Sequence, residues 1–203
     1  MAYRCLWVFL FVFLFTPAFM APAFAQELGG TEQSLPIQSI ADRVVLGASE
    51  EVHRGTAYRA TYEPIDYPGG DVPSDYGVCT DLVIRSFRKA DIDIQQLLHE
   101  DRKAHPEVYP IHLWTNKNPD RNIDHRRCPN LLAFLKRHSL VIDKNRPDSW
   151  SPGDVLFFQR EDQFFPWHVG IVSGNRGNQG DPRMFHLFPP RANEDSAIDE
   201  RQL

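Results

Sequence analysis

The sequence predicts an α+β domain in which helices come first and an antiparallel sheet follows. In the first two thirds of the chain, the apolar residues recur mainly with helical spacing. From about residue 154 the pattern changes to short β-branched and aromatic runs separated by Gly, Asn and Pro, which is typical of strands. Helices followed by strands in separate blocks favour an α+β architecture.

The chain opens with a segment that has the features of a secretory signal peptide. Arg4 supplies a positive end, Leu6–Phe15 form an apolar run, and Ala23-Phe24-Ala25 has the small-x-small form of a cleavage site. The apolar run is shorter than the roughly 20 residues that a membrane span needs. We therefore expect cleavage after Ala25 and export to the periplasm or beyond in a bacterium. An uncleaved N-terminal anchor is the alternative.

The remaining residues, 26–203, suit one domain with a proper core. The predicted helices cover residues 36–51, a segment that begins at Val78, a segment near Ile94–Ala104, and Pro129–His138. The segment between the first two helices is rich in Tyr, Pro, Gly and Asp, so we expect a long ordered loop there. The segment before the fourth helix also has loop composition, with several aromatic residues.

Three strands are predicted, in "DVLFFQR", "HVGIVS" and "MFHLF". His168 begins the second of these strands and His186 lies within the third. A hairpin centred on Gly177 would place His168 opposite His186, and alternation would put both imidazoles on one face of the sheet. The tail "RANEDSAIDERQL" is polar and is not predicted to form a strand.

Two cysteines, Cys79 and Cys128, remain after the leader takes Cys5 away. In an oxidising compartment a disulfide is the default interpretation of two cysteines. Their settings differ, however, because Cys79 begins a helix after Gly77, whereas Cys128 precedes Pro129, a favoured first helical residue. A disulfide and a free nucleophile at Cys79 therefore both remain open.

A cysteine at a helix start has the chemistry of a nucleophile. The thiolate is the reactive form, and the free N–H groups and dipole of a helix N-terminus lower the thiol pKa. A nearby imidazole can accept the proton, a third polar group can orient that imidazole, and the same N–H groups can bind an oxyanion. Cys79, His168 and His186 can thus supply nucleophile, base and orienting group. For either histidine alone, an ordinary core or surface role is the alternative.

Several motifs resemble known families. The order "GVCTDLV", "PGDVLFF", "HVGIVSG" and "FHLF" resembles the NlpC-type branch of the papain-like cysteine peptidases. The segments "YPGGDVPSDYGVCTDLVIRSFRKADIDIQQLLHED", "NIDHRRCPNL" and "WSPGDVLFF" resemble the uncharacterised YijF-type family, domain of unknown function 1287. The resemblance covers roughly Ile40 to Phe188. The chain has Val78-Cys79-Thr80 where most NlpC-type enzymes have Asp-Cys-Ser, so their substrate specificity does not transfer.

The resemblance implies a papain-like fold and hydrolysis of an amide bond in peptidoglycan or another cell-envelope peptide. In that scheme Cys79 attacks the carbonyl, His168 shuttles the proton, and His186 holds His168 in its productive tautomer. Tyr67, in "YPGGD", would wall the cleft or polarise the carbonyl. A non-catalytic envelope-binding domain of the same fold and a thiol acyltransferase with the same triad are the alternatives.

A charged set lies in or beside the YijF-like motifs. Arginine is the natural partner for the carboxylates of a muropeptide, so this set is a candidate for binding charged groups of the substrate. The alternative is that these residues form internal salt bridges that order the long loop. The set comprises Asp81, Arg85, Asp101, His125 and Arg126.

Charge and motif content exclude several other classes. The net charge is −5, and it becomes more negative by one when the leader, which contains one basic residue and no acidic residue, is removed. This negative charge argues against nucleic-acid binding. The sequence has no Gly-rich phosphate loop, and neither CxxC nor HExxH spacing supports a metal site built from the two cysteines and histidines. We expect a monomer without cofactor or metal, and without a stable membrane span once the leader is removed.

Overall fold

The computed structural model describes residues 3–10, 39–143, 145–160 and 162–198. The expected cleavage site at Ala23–Ala25 and the first residues of the predicted first helix, 36–38, lie outside this part of the chain. Within the described residues, none of the helices combines the length and apolar character that crossing a membrane requires.

The described residues contain four α-helices, and their positions confirm the predicted helical segments. The helices are α1 (Ile40–Arg54), α2 (Cys79–Lys89), α3 (Ile94–Ala104) and α4 (Cys128–His138). Ser39 caps α1 through a capping box with Asp42. This helix continues past residue 51 until Gly55, whose φ of 69° suits the left-handed end of a helix. Helix α4 begins one residue earlier than predicted, so both Cys79 and Cys128 are first residues of helices.

The strands of the described chain form one sheet, in the order β3-β2-β8-β7-β6-β5-β1-β4. Neighbouring strands are antiparallel except β2 and β3, which are parallel, so the sheet is mixed rather than wholly antiparallel as predicted. The strands are β1 (Tyr3–Leu10), β2 (Ala57–Tyr58), β3 (Tyr76–Gly77), β4 (Leu140–Ile142), β5 (Val155–Arg160), β6 (His168–Arg176), β7 (Pro182–Phe188) and β8 (Arg191–Ser196). The parallel pair escaped prediction because each of its strands is two residues long and lies within loop-like sequence.

Strand β8 corrects the expectation of a polar tail without a strand. It pairs with β7 in the register His186↔Asn193 and Leu187↔Ala192. Ala192 and Ser196 are buried, while Arg191 and Asn193 are exposed. Polar residues are acceptable on the exposed positions of a strand, so the low hydrophobicity of the segment concealed its structure.

The main core lies between the helices and one face of the sheet. Helix α2 packs against α1 and against β6 and β7, and its Leu82, Val83 and Phe87 are fully buried. A smaller apolar cluster, which includes Trp150 and Phe158, lies apart from this main core. The position of α2 against β6 brings the start of the helix, with Cys79, close to the start of the strand, with His168.

Candidate active site

The start of α2 fixes the position of Cys79. Val78 is the N-cap, in extended conformation, and its N–H donates to Asp81 Oδ2 at 2.7 Å. Gly77 has room for this arrangement only because it lacks a side chain, since a Cβ there would lie 2.8 Å from Asp81 Oδ2. Cys79 is therefore held at a helix N-terminus, where free N–H groups and the helix dipole favour a negative charge.

The two histidines meet as predicted, although the strand register differs. His186 is opposite Gly170 rather than His168, because the turn is irregular and β6 carries a register shift between Val172 and Arg176. A displacement of two residues keeps every side chain on its own face, whereas a displacement of one would have reversed the faces. The imidazoles accordingly meet on a diagonal, with His168 Nε2 and His186 Nδ1 at 2.8 Å.

Gly170 leaves room for this contact. A Cβ at Gly170 would lie 2.9 Å from the Met184 sulfur and 3.3 Å from the His186 Cβ. The glycine in "HVG" therefore permits β7 to place His186 close to the backbone of β6.

Asp195 extends the chain of contacts, and the sequence analysis did not identify it. Its Oδ2 lies 2.9 Å from His186 Nε2 and also accepts a hydrogen bond from Asn193 Nδ2 at 3.0 Å. The spacing of Asn193 and Asp195 in "RANEDS" would have been the available signal, because alternate residues of a strand share a face.

Asp195 also decides where the protons sit. A carboxylate accepts, so His186 carries its proton on Nε2 and offers Nδ1 as acceptor to His168 Nε2–H. His168 then has Nδ1 available for Cys79. We call this series, Cys79–His168–His186–Asp195, the relay.

The surroundings of Cys79 lower its pKa well below the ordinary value. The largest cause is a hydrogen bond from Cys128, whose sulfur lies 3.5 Å from the Cys79 sulfur. A hydrogen bond and the charge of His168 add to this, as does a hydrogen bond from the Val169 N–H, while burial acts in the opposite direction. The same sulfur contact raises the pKa of Cys128 well above its ordinary value. The negative charge of the pair therefore rests on Cys79.

The outer members of the relay are also perturbed. Burial lowers the pKa of His186, partly offset by its hydrogen bond to Asp195, so His186 is neutral near pH 7. The hydrogen bond from His186 lowers the pKa of Asp195, which therefore remains ionised. A neutral His186 beside an ionised Asp195 is the state that can orient His168.

An aromatic shell surrounds His168 and keeps bulk water from it. The side chains of Trp167, Phe158 and Phe188 have ring centroids 5.3, 5.9 and 5.4 Å from the imidazole. Only 1% of His168 is exposed. Hydrogen bonds and charges act more strongly in such a low-dielectric setting than in water.

Tyr58, not Tyr67, is the tyrosine beside the nucleophile. Burial raises the pKa of Tyr58, and so do the negative charges of the nearby Cys79 and Asp81. Tyr67 instead packs edge-on against His99 at 5.1 Å. The structure thus places Tyr67 against α3, because the "YPGGD" turn is tied to that helix: Gly69 N–H donates to Asp93, the N-cap of α3. A role of Tyr67 in the cleft stays a prediction.

The charged set has internal partners, as the structural alternative anticipated. Arg126 forms a two-pronged buried ion pair with Asp81, at 2.7 and 3.0 Å, and donates to the Thr61 carbonyl at 2.8 Å. Arg85 lies between Glu51 and Asp71, at 2.9 and 2.8 Å, and also bonds carbonyls of the loop before α2. These contacts anchor the loop, and we assign the arginines a structural role rather than substrate binding.

His125 and Asp101 have similar settings. Burial, reinforced by the charges of Arg126 and Arg88, lowers the pKa of His125 to about 3, so it is neutral and cannot attract a carboxylate as a cation. Asp101 accepts from Tyr109 Oη at 2.6 Å and pairs with Arg137 of α4 at 3.1 Å. Asp101 thus links α3 to α4, and His125 is buried.

A cavity of about 610 Å³ adjoins the outer end of the relay. His186, Asp195, Phe188 and Arg191 are among its lining residues. Cys79 and Cys128 themselves are free thiols rather than a disulfide. Among the residues that the structure describes, no group of three or more His, Cys, Asp or Glu side chains is arranged to hold a metal ion.

Comparison with known proteins gives the family but no activity. The family described as Domain of unknown function (DUF1287) matches residues 45–203, which include the whole relay. The uncharacterized protein YijF of Escherichia coli (strain K12) is 38% identical over 157 residues, which cover 75% of this chain and 73% of that protein. No solved structure matches the chain. The chain therefore belongs to the family of domain of unknown function 1287.

Proposed function

We propose that this protein is an exported bacterial cysteine hydrolase that cleaves an amide bond in peptidoglycan or another cell-envelope peptide. The observation that carries the proposal is the relay, because it joins a helix-start thiolate to a base and to the groups that orient it. Four side chains from α2, β6, β7 and β8 converge in one line of hydrogen bonds.

The relay can perform both halves of an amide hydrolysis. The Cys79 thiolate attacks the carbonyl carbon, and N–H groups at the start of α2 stabilise the oxyanion. His168, protonated in the thiolate–imidazolium pair, gives its Nδ1 proton to the leaving amine, and the acyl-enzyme remains. His168 then takes a proton from a water molecule, which attacks the acyl carbon and releases Cys79. His186 and Asp195 keep His168 in the required tautomer throughout.

The arrangement of the site supports a papain-like fold of the NlpC type. A cysteine begins a helix that packs on a sheet, a histidine begins the adjoining strand, and a second histidine lies on the next strand. The resemblance of the motifs and this geometry together support the class of reaction. The envelope substrate is supported by the same resemblance and by the leader.

Export is supported by the signal-peptide features of residues 1–25. Strand β1 lies in that segment and pairs with β5 and β4, so its removal would shorten the sheet at one end. Cys79 lies on α2, and the other three members of the relay lie on β6, β7 and β8, none of which neighbours β1 in the sheet. The N-terminal sequence of the exported product should begin at Gln26, and retention of Met1 would contradict cleavage after Ala25 and favour an uncleaved N-terminal anchor.

Digestion of purified sacculi, followed by mass spectrometry of the released fragments, tests the activity and identifies the bond. The wild-type protein should release fragments that Cys79→Ser does not release. His53→Ala is a matched histidine control, since His53 is exposed on α1 and bonds only within that helix in the contacts described. If the released acyl fragments were joined to an added amine, rather than hydrolysed, the protein would instead be a thiol acyltransferase.

A binding domain without activity predicts a different outcome. Sacculi would then retain the protein without losing fragments, and Cys79 would react with iodoacetamide like an ordinary thiol. Absence of any released fragment from sacculi and from envelope peptides, in a preparation with reactive Cys79, would overturn the proposed substrate class.

A further inference from the structure

Cys79 and Cys128 form a pair that hydrolysis alone does not require. Each is the first residue of a helix, and each is only 6% exposed. Their sulfurs are 3.5 Å apart and share a hydrogen bond. A hydrolase needs a single sulfur, so the second thiol at this distance requires its own explanation.

We propose that Cys79 and Cys128 are a reversible redox pair, whose disulfide form blocks the nucleophile. The link to inactivation rests on the proposed function, whereas formation of the disulfide does not. The active state is then the dithiol that the structure contains, and oxidation gives an inactive form that reduction can reactivate.

The geometry favours bond formation. A disulfide has a sulfur–sulfur distance of about 2.05 Å, so the sulfurs must approach by about 1.5 Å. Each cysteine follows a residue in extended conformation, Val78 and Arg127, and precedes the body of its helix. The approach that we expect is a rotation of the two cysteine side chains, which start from adjoining helix N-termini.

The asymmetry of the pair sets the order of events. Cys79 is the thiolate, stabilised by Cys128, His168 and the Val169 N–H, while Cys128 holds its proton. With hydrogen peroxide as oxidant, the Cys79 thiolate attacks one oxygen, the O–O bond breaks, and hydroxide leaves. Cys79 becomes a sulfenic acid, and hydroxide takes a proton to form water.

The second step closes the disulfide. Cys128 loses its proton and its sulfur attacks the Cys79 sulfur, the S–O bond breaks, and a second water leaves. Two thiols and one peroxide thus give one disulfide and two waters. A dithiol reductant reverses the change by exchange. Without Cys128, the sulfenic acid would remain open to further, irreversible oxidation.

The experiment compares the full chain carrying Cys5→Ser with the same chain carrying Cys128→Ser in addition. Both are treated with hydrogen peroxide, blocked with iodoacetamide, digested without reduction and analysed by mass spectrometry. In the first protein we expect a peptide that joins Cys79 to Cys128, with two hydrogens lost, and recovery of both thiols with dithiothreitol. In the second we expect a sulfenic acid at Cys79, trapped by dimedone, followed by irreversible oxidation.

Sulfenic or sulfinic acid at Cys79 in the first protein, with Cys128 still reduced, would overturn the proposal. So would two unmodified thiols under conditions that oxidise Cys79 in the second protein. Because the readout is the state of the thiols, it separates the two proposals. A disulfide in a protein that hydrolyses nothing would refute the proposed function alone, and hydrolysis by a protein that forms no disulfide would refute this inference alone.

Discussion

Two sides of helix α2 carry buried polar side chains, and they differ in what surrounds them. On one side, Cys79 is the first member of the relay. On the other side, Asp81 forms an ion pair with Arg126, and Arg85 forms ion pairs with Glu51 and Asp71. On the ion-pair side each charge meets an opposite charge at hydrogen-bond distance, and the contacts hold the loop before the helix. On the relay side the groups are linked in a line of hydrogen bonds, along which a proton can pass between Cys79 and His168.

This difference teaches how to separate a reacting cluster from a structural one. Buried ion pairs in which each charge has an opposite partner hold the backbone in place, and removal of one partner lowers the free energy of unfolding strongly. A line of hydrogen bonds between a thiol, two imidazoles and one carboxylate can instead exist with its protons in more than one place. Substitutions on the relay side should therefore affect turnover, and those on the ion-pair side should affect stability.

The largest effect is expected for Cys79→Ser. Serine lacks the lowered pKa on which the ion pair with His168 depends, so turnover should fall by about 10⁴-fold or more, to background. Cys128→Ser is the matched control, and it should retain most of the activity because a hydroxyl can still donate to the Cys79 thiolate. The activity of both variants is measured as the hydrolysis rate on the substrate that the digestion of sacculi identifies. Equal loss in the two variants would show that the two sulfurs act as a unit.

The next effect is expected for His168→Ala. Turnover should fall by about 10²–10⁴-fold, near the upper end, because one residue serves as both acid and base. The pKa of Cys79 lies well below its ordinary 9.0 in the native protein and should rise in this variant. The rate of alkylation of Cys79 by iodoacetamide, measured at a series of pH values by peptide mapping, should stay high in the wild type at pH values well below 9. An unchanged alkylation profile in the variant would contradict the thiolate–imidazolium pair.

A smaller effect is expected for His186→Ala, which frees the tautomer of His168 but leaves the base in place. The loss should be about 10²-fold or less, below the range for the acid–base group itself. His186→Asn or His186→Gln should recover part of it, because an amide oxygen can accept from His168 Nε2–H. The ratio of the three turnover rates is the measurement. A harmless His186→Ala would remove the relay beyond His168 from the mechanism.

The smallest effect on turnover is expected on the ion-pair side. Arg126→Met leaves Asp81 buried and unpaired, so the free energy of unfolding should fall by about 3–5 kcal/mol. Turnover per folded molecule should remain near the wild-type value. Urea unfolding measures the stability, with Lys89→Ala as control, since its exposed pair with Glu50 should contribute about 0–1 kcal/mol. A large loss of turnover in folded Arg126→Met would return this residue to the site.

The sequence predicted the elements of the site better than their connections. Helix starts at Cys79 and strands at His168 and His186 followed from local periodicity, and the predicted pairing of faces survived a wrong turn centre because the error was an even number of residues. The position of Tyr67 and the partners of Arg85 and Arg126 could not be predicted, since they depend on the path of a long loop. Asp195 was missed because the polar composition of β8 hid its pairing with β7.

The place of Asp195 on β8 has a consequence for the order of events during folding. The relay joins residues that lie far apart in the chain, and such long-range contacts form late compared with helices. We expect α2 to form while Cys79 still behaves as a common thiol, because its pKa falls only when Cys128, His168 and the Val169 N–H pack around it. The relay is complete only later, when β8 joins the sheet and brings Asp195 to His186. Pulsed alkylation during refolding would show this as a lag between helix formation and thiolate reactivity, and simultaneous appearance of the two would argue against it. A potential hydrolase would thus remain harmless to its surroundings while it is being made.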